Sequence, residues 1–401
     1  MKTHLNTLFV TTEGTYLAKA GQSVAIRVAD DADDADDAEE PKSGGKASGR
    51  KPKKTKLRVP LHNLDGIVAF GRVSASPQLL HAAAEQGLTV SFLSPRGRFR
   101  YAAVGYSPGN VLIRREQYRW ADDPDRTAAV VRSVVLGKLA NSRTVLKRAA
   151  RESAVPEAAT RLSEAANQIQ SVIGVAKAGH EECGAETEGH PPDAGSRNSG
   201  PVANACYPLR KSPADFLRGL EGGAAARYFA VFDDLLRPPA DADGHFRFTS
   251  RSRRPPLDPV NALLSFLYSL LTHDTRSACE ATGLDAAVGF LHRDRPGRPS
   301  LALDLIEELR PVLADRLAVT LINRGQITTT DFDRTASGAV HLSEAGRKTV
   351  LQAWQTRKRE QVRHPYLDER MSWGLVPHIQ ARLLARHLRG ELDAYPPFLW
   401  K

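Results

Sequence analysis

The chain has 401 residues, 41% of them hydrophobic, which allows two or three domains with real cores. Lys and Arg number 56 against 46 Asp and Glu, a formal net charge of +10; that balance points to nucleic acid or an anionic surface, with a merely basic soluble enzyme as the alternative. With no apolar signal core, no charge-free run longer than 259–273, and three cysteines (Cys183, Cys206, Cys279) in neither metal nor paired spacing, a membrane or secreted protein is excluded and a cytoplasmic one expected.

Residues 1 to about 115 read as β-rich. LNTLFVTT, YLAK, SVAIRVA, LRVPL, GIVAF, LTVSFLS, FRYAAVG and NVLIRREQY are short β-branched or aromatic runs punctuated by Gly, Pro, Asn and Ser. One helical insert covers 77–87, and two packed sheets are the natural solution. Inside this stretch, 30–56 has an acidic half and a basic half and is expected to be a disordered insertion, although its basic half could touch DNA.

From Asp122 the pattern turns helical. Asp123-Pro124 starts a helix with Val130, Val134, Leu136, Leu139 and Val145; Lys138, Arg143, Lys147 and Arg148 lie beside them as a solvated or phosphate-facing stripe. A second polar tract, about 175–206, reads as a disordered loop. Ser212-Pro213 opens a helix through GLEGGAAARYF, where Glu221 precedes Gly222 and Gly223. Two glycines inside a helix cost about 2 kcal/mol relative to alanine and leave room for another backbone or a ligand. Arg247, Arg251, Arg253 and Arg254, interleaved with Phe246 and Phe248, suit phosphates and exposed bases, or else form a mobile surface loop. A buried helix over 257–274 carries a polar seam of Asn261, Ser265 and Tyr268. Further helices cover 343–364 and 376–389, and the ending DAYPPFLWK is an apolar tail able to dock on a partner or on its own core.

The chemistry concentrates in 289–311, GFLHRDRPGRPSLALDLIEELRP. His292 precedes an arginine-rich turn that Pro296, Gly297 and Pro299 keep out of helix, and Ser300 is placed to cap a helix carrying Asp304, Glu307 and Glu308. One imidazole with two or three carboxylates is a hard ligand set that suits Mg²⁺ or Mn²⁺. The competing reading is an ordinary amphipathic helix: Ile306, Leu309, Leu313, Leu317 and Thr320 form one stripe, with Asp304, Glu307, Glu308 and Asp315 as a solvated acidic face opposite. Leu301, Leu303 and Leu305 argue against it for Asp304, which they surround. No GxxxxGK[ST], GxGxxG after a strand, GxSxG, HExxH or CxxC motif offers other chemistry.

LNTLFVTTEGTYLAK, GLEGGAAARYF, RRPPLDPVNALLSFLYSLLTHD, GLDAAVGFLHRDRPGRPSLALDLIEELRPVLADRLAVTLINR and HLRGELDAYPPFLWK together resemble the CRISPR-associated adaptation integrase, the metal-dependent DNA endonuclease family called "Cas one", in its type I-C branch. The resemblance covers nearly the whole chain apart from the two low-complexity tracts. It implies an α+β protein: an N-terminal β-sandwich domain (1–115, insert 30–56) that dimerises, then an all-α catalytic domain (122–401, insert about 175–206). It implies one Mg²⁺ or Mn²⁺ held by Glu221, His292 and Glu307, with Asp304 as the supporting acid; Glu308, beside Glu307, leaves the register open. Arg251, Arg253, Arg254, Arg293, Arg295 and Arg298 would position phosphates. The implied reaction is 3′-hydroxyl attack of a captured fragment on a phosphodiester of the CRISPR repeat. The implied partners are double-stranded DNA (prespacer and repeat), a second copy, a small ferredoxin-like CRISPR-associated nuclease completing a heterohexamer, and often in this branch a RecB-like exonuclease. A stand-alone metal-dependent nuclease and a non-catalytic DNA-binding scaffold are the alternatives.

Overall fold

A computed structural model describes residues 7–28, 54–64, 66–95, 99–105, 111–178, 212–237 and 246–400. Apart from the ends that run into regular elements, the 30–56 and 175–206 tracts lie outside the described residues, as do Cys183 and Cys206.

The strands are β1 (Thr7–Val10), β2 (Tyr16–Ala20), β3 (Ser23–Val28), β4 (Lys54–Pro60), β5 (Gly66–Phe70) and β6 (Ser74–Ala75), then, after helix α1 (Pro77–Glu85), β7 (Thr89–Leu93) and β8 (Phe99–Ala103). They form two four-stranded sheets, ordered β1-β5-β7-β8 and β4-β3-β2-β6. The GIVAF run has no polar alternation because β5 is covered on both faces. Ile67 and Ala69 join Leu17, Val24, Leu79 and Val90 in a core shared by both sheets, while Val68 and Phe70 enter the main helical core, where Phe70 meets Phe266.

The helical part runs through α2 (Val111–Asp122), α3 (Pro124–Glu152), α4 (Pro156–Ala178), α5 (Pro213–Ala230), α6 (Pro259–Thr282), α7 (Ser300–Glu307), α8 (Arg316–Asn323), α9 (Glu344–Arg359) and α10 (Val376–Leu388). Two small hairpins interrupt it, β9 (Phe332–Arg334) with β10 (Val340–Leu342), and β11 (Gln361–Arg363) with β12 (Arg370–Ser372). Helices α1, α3, α5 and α6 start alike: a Ser or Asp side chain accepts a first-turn N–H, and Pro follows at the first helical position.

Three local expectations are corrected. In the NVLIRREQY run, 111–118 forms most of helix α2 rather than a strand, because Ile113 and Gln117 share its buried face and Gln117 holds Asp285 O, Asp285 N and Val288 O. Ser300 is not a cap: it lies inside α7, and its hydroxyl donates to Arg293 O. Phe246 and Phe248 are buried, not offered to bases; Phe248 packs on Phe229 and Phe232.

Candidate metal centre

Helix α7 and the segment after it sit in the middle of the helical core. Pro311 has no N–H, and around it the chain takes a π-helical turn, Arg310–Asp315, before α8. The solvated acidic face does not exist: Asp304, Glu307, Glu308 and Asp315 are all buried. Each therefore needs partners, and each finds a different set.

Asp304 gathers the loop that precedes it. Its Oδ2 accepts from Phe290 N (2.6 Å) and Leu291 N (2.9 Å), and its Oδ1 from His292 N (2.9 Å) and His292 Nδ1 (2.8 Å). A carboxylate only accepts, so Nδ1 carries a proton, and in the neutral imidazole that leaves the lone pair on Nε2. The loop packs so closely that a Cβ on Gly289 would lie 2.8 Å from Ser300 C and 2.9 Å from Asp304 Oδ2. Arg218, one turn before Glu221 on α5, ties the same loop to its helix through Leu291 O (2.6 Å) and Phe290 O (2.8 Å).

Glu307 turns toward α3 and α5. His292 Nε2 stands 3.8 Å from Glu307 Oε1, Arg310 Nη1 2.5 Å from the same oxygen, and Lys138 Nζ 2.7 Å from Oε2. The Lys138 ammonium also bonds Glu221 Oε1. Burial would raise the Glu307 carboxyl, but the Arg310 guanidinium and then the Lys138 ammonium outweigh it and hold it well below the usual carboxylate range. Glu307 is thus an anion at any working pH.

Glu308, the next residue, points the other way. It accepts from Tyr395 OH (2.6 Å), Gln380 Nε2 (2.8 Å) and Phe398 N (2.8 Å). Its carboxyl is pushed up to about 7 by burial, which those hydrogen bonds only partly offset. The tail therefore docks on the chain's own core. Asn141 holds it from α3 through Phe398 O and Trp400 N, and Gly137 lets it pass, since a Cβ there would lie 2.8 Å from Pro397 Cβ.

Asp315 accepts from Tyr268 OH (2.6 Å) and Tyr228 OH (3.0 Å). Burial pushes its carboxyl up from 3.8 to about 6 against these two bonds. Below both values the group is neutral folded or unfolded; as pH rises through about 6 the folded protein must charge a buried group and loses about 3 kcal/mol. Asp315→Asn should therefore gain up to about 3 kcal/mol on the wild type between pH 4 and 7, read from denaturant melts. A difference independent of pH would mean that Asp315 is not buried as described.

Glu307 of α7 has His292 of the loop near one carboxylate oxygen and, on the other, Lys138, which also bonds Glu221 of α5. Among the described residues no three acidic, His or Cys side chains already form an ion cage; the two glutamates meet at Lys138 rather than at each other. The donors still fit a hard divalent ion. The donor set is two carboxylates and an imidazole nitrogen, and the buried Glu307 Oε2 has an ion-pair contact but no well-aligned hydrogen bond. Lys138 was legible only as one of four basic residues on an amphipathic helix; nothing local marks it as the one turned inward. Among the described residues Gly222 has nothing close and Gly223 meets only the Arg227 side chain, so no other described backbone approaches there.

Arg251 is not available to phosphate. Its guanidinium donates to Asn261 Oδ1 (2.6 Å), Ser252 O (2.6 Å) and Ser265 Oγ (3.1 Å), bracing its loop on the polar seam of α6. Arg253, Arg254, Arg293 and Arg295 are exposed, Arg298 is half-buried, and Arg293 pairs with Asp215 at 2.8 Å. No described helix is long and apolar enough to cross a membrane.

A family model described as "CRISPR associated protein Cas1" matches residues 8–356. The chain is 48% identical over 401 residues, 100% of both chains, to "CRISPR-associated endonuclease Cas1 2" of Rhodospirillum rubrum. It is 35% identical over 334 residues to a "CRISPR-associated exonuclease Cas4/endonuclease Cas1 fusion" of Geobacter sulfurreducens, covering 83% of this chain and 53% of that one. Its fold matches that of "Casposase bound to integration product" with a TM-score of 0.72, 20% identity and coverage of 98% of this chain and 93% of that one.

Proposed function

Since the chain belongs to the CRISPR-associated Cas1 family, we propose that Glu221, His292 and Glu307 hold one Mg²⁺ or Mn²⁺ at which DNA phosphodiesters are cut and joined. The enzyme is an endonuclease and integrase of CRISPR adaptation. The observation that carries the ligand assignment is the Asp304–His292 pair: Nδ1–H donates to Asp304, which turns the other ring nitrogen, Nε2, toward Glu307.

When bound, the ion would polarise the scissile phosphate and stabilise charge developing on it. The chain's own residues do the rest. Asp304 orients the imidazole, Arg218 locks the His292 loop to the Glu221 helix, and Arg310 keeps Glu307 ionised. Arg253, Arg254, Arg293, Arg295 and Arg298 would be the phosphate-positioning groups that hold the duplex while a fragment's 3′-hydroxyl attacks a phosphodiester and displaces its leaving oxygen. Arg251 is left out of this set.

On the family resemblance we further propose that residues 1–115 dimerise, that the chain belongs to the type I-C branch and works in the cytoplasm on prespacer and repeat DNA, and that a small ferredoxin-like nuclease joins it in a heterohexamer. A RecB-like exonuclease partner has the support of the fused relative.

The test is strand transfer in Mg²⁺ or Mn²⁺. A labelled duplex with a 3′-hydroxyl should be joined to a supercoiled plasmid carrying a CRISPR repeat, and a 3′-dideoxy end should not. Cleavage without joining would make the protein a stand-alone nuclease; binding with neither reaction would make it a scaffold.

A further inference from the structure

Lys138 is a buried charge that the proposed reaction does not use. Its side chain is 11% exposed, and its ammonium lies between Glu221 and Glu307, where an ion shared by those two ligands would sit. The two carboxylates carry two negative charges, and Lys138 and Arg310 already balance them. A divalent ion added to this cluster without rearrangement would face two cations at contact distance, so one of them has to leave. Arg310 is the less movable: its guanidinium stacks 4.7 Å from the Tyr268 ring centre and stays on Glu307 Oε1. Lys138 has a flexible four-carbon stem. A cavity of about 20 Å³, lined by Lys138, Ala224, Arg253, Tyr268 and Arg310, adjoins it. Its backbone cannot follow, because Gly137 is packed against Pro397 and Glu308, so the exchange is a side-chain movement.

We propose that Lys138 is an exchangeable counter-ion of the ligand pair, a positioning residue that holds Glu221 and Glu307 together until a divalent ion takes them. It rests on the metal reading given above. Lys138 thereby opposes metal binding, and removing its charge tightens it.

The probe is Mn²⁺ in calorimetry with the full chain. Lys138→Met should melt lower than wild type without metal and bind Mn²⁺ at least about fivefold more tightly, since the carboxylates lose a competitor. Equal or weaker binding in a folded Lys138→Met protein overturns the proposal. If that variant does not fold, the wild type decides. Amine acylation mapped by mass spectrometry should rise several-fold at Lys138 when Mn²⁺ is added to chelator-treated protein, and unchanged or reduced labelling overturns the exchange. Wild-type protein that binds no Mn²⁺ overturns this and the metal reading together. Wild-type binding that His292→Ala abolishes but Lys138→Met leaves unchanged overturns the lysine proposal alone.

Discussion

His292→Ala should lower Mn²⁺-dependent DNA cleavage and strand transfer at least about 100-fold per folded molecule, because even residues that merely support a ligand typically cost 10–100-fold. The fold should survive. Asp304 keeps three backbone N–H donors from Phe290, Leu291 and His292 when the imidazole is gone, so the loop stays in place. Duplex affinity should change little, since the proposed phosphate contacts come from arginines outside the ligand set. Glu221→Ala combined with His292→Ala should be little worse than either alone, as expected of residues acting as one unit. Full activity in a folded His292→Ala protein would sink the metal assignment, and a lowered melting temperature with normal specific activity would make His292 a packing residue.

Loss of the tail should be as damaging to the fold as loss of His292 is to the chemistry. Phe398 is fully buried and Tyr395 nearly so, and Phe398→Ala should cost about 3–5 kcal/mol. Deleting 393–401 does more. It strips Glu308 of the Tyr395 hydroxyl and the Phe398 N–H and leaves a buried carboxyl with Gln380 as its remaining donor. A buried acceptor short of partners costs about 1–3 kcal/mol on top of the lost packing. The truncated chain should therefore fail to show a cooperative thermal transition by circular dichroism. A truncation that melts within a few degrees of the full chain would show that the tail lies on the surface.

Much of the molecule was decided by local sequence. Ser-Pro and Asp-Pro pairs started four helices because a short side-chain acceptor and a proline at the first helical position satisfy the same local need wherever the helix lies. GIVAF is apolar throughout and became a strand covered on both faces. His292, Asp304 and Glu307 stand within one short stretch, so their convergence needed a turn and one helix. Tertiary structure alone decided what the acidic helix faces. Periodicity ranks residues by side, but it does not say whether a side meets water or another charged helix. The partners that settled it come from far along the chain: Lys138 lies 83 residues from Glu221, and the Phe398 amide lies 90 from Glu308. Arg251 needed a shorter reach: Asn261 and Ser265, 10 and 14 residues on, read as a seam in sequence, and only folding laid the guanidinium into it. A buried charge is legible where its partner is local, and invisible where a distant helix supplies the opposite charge.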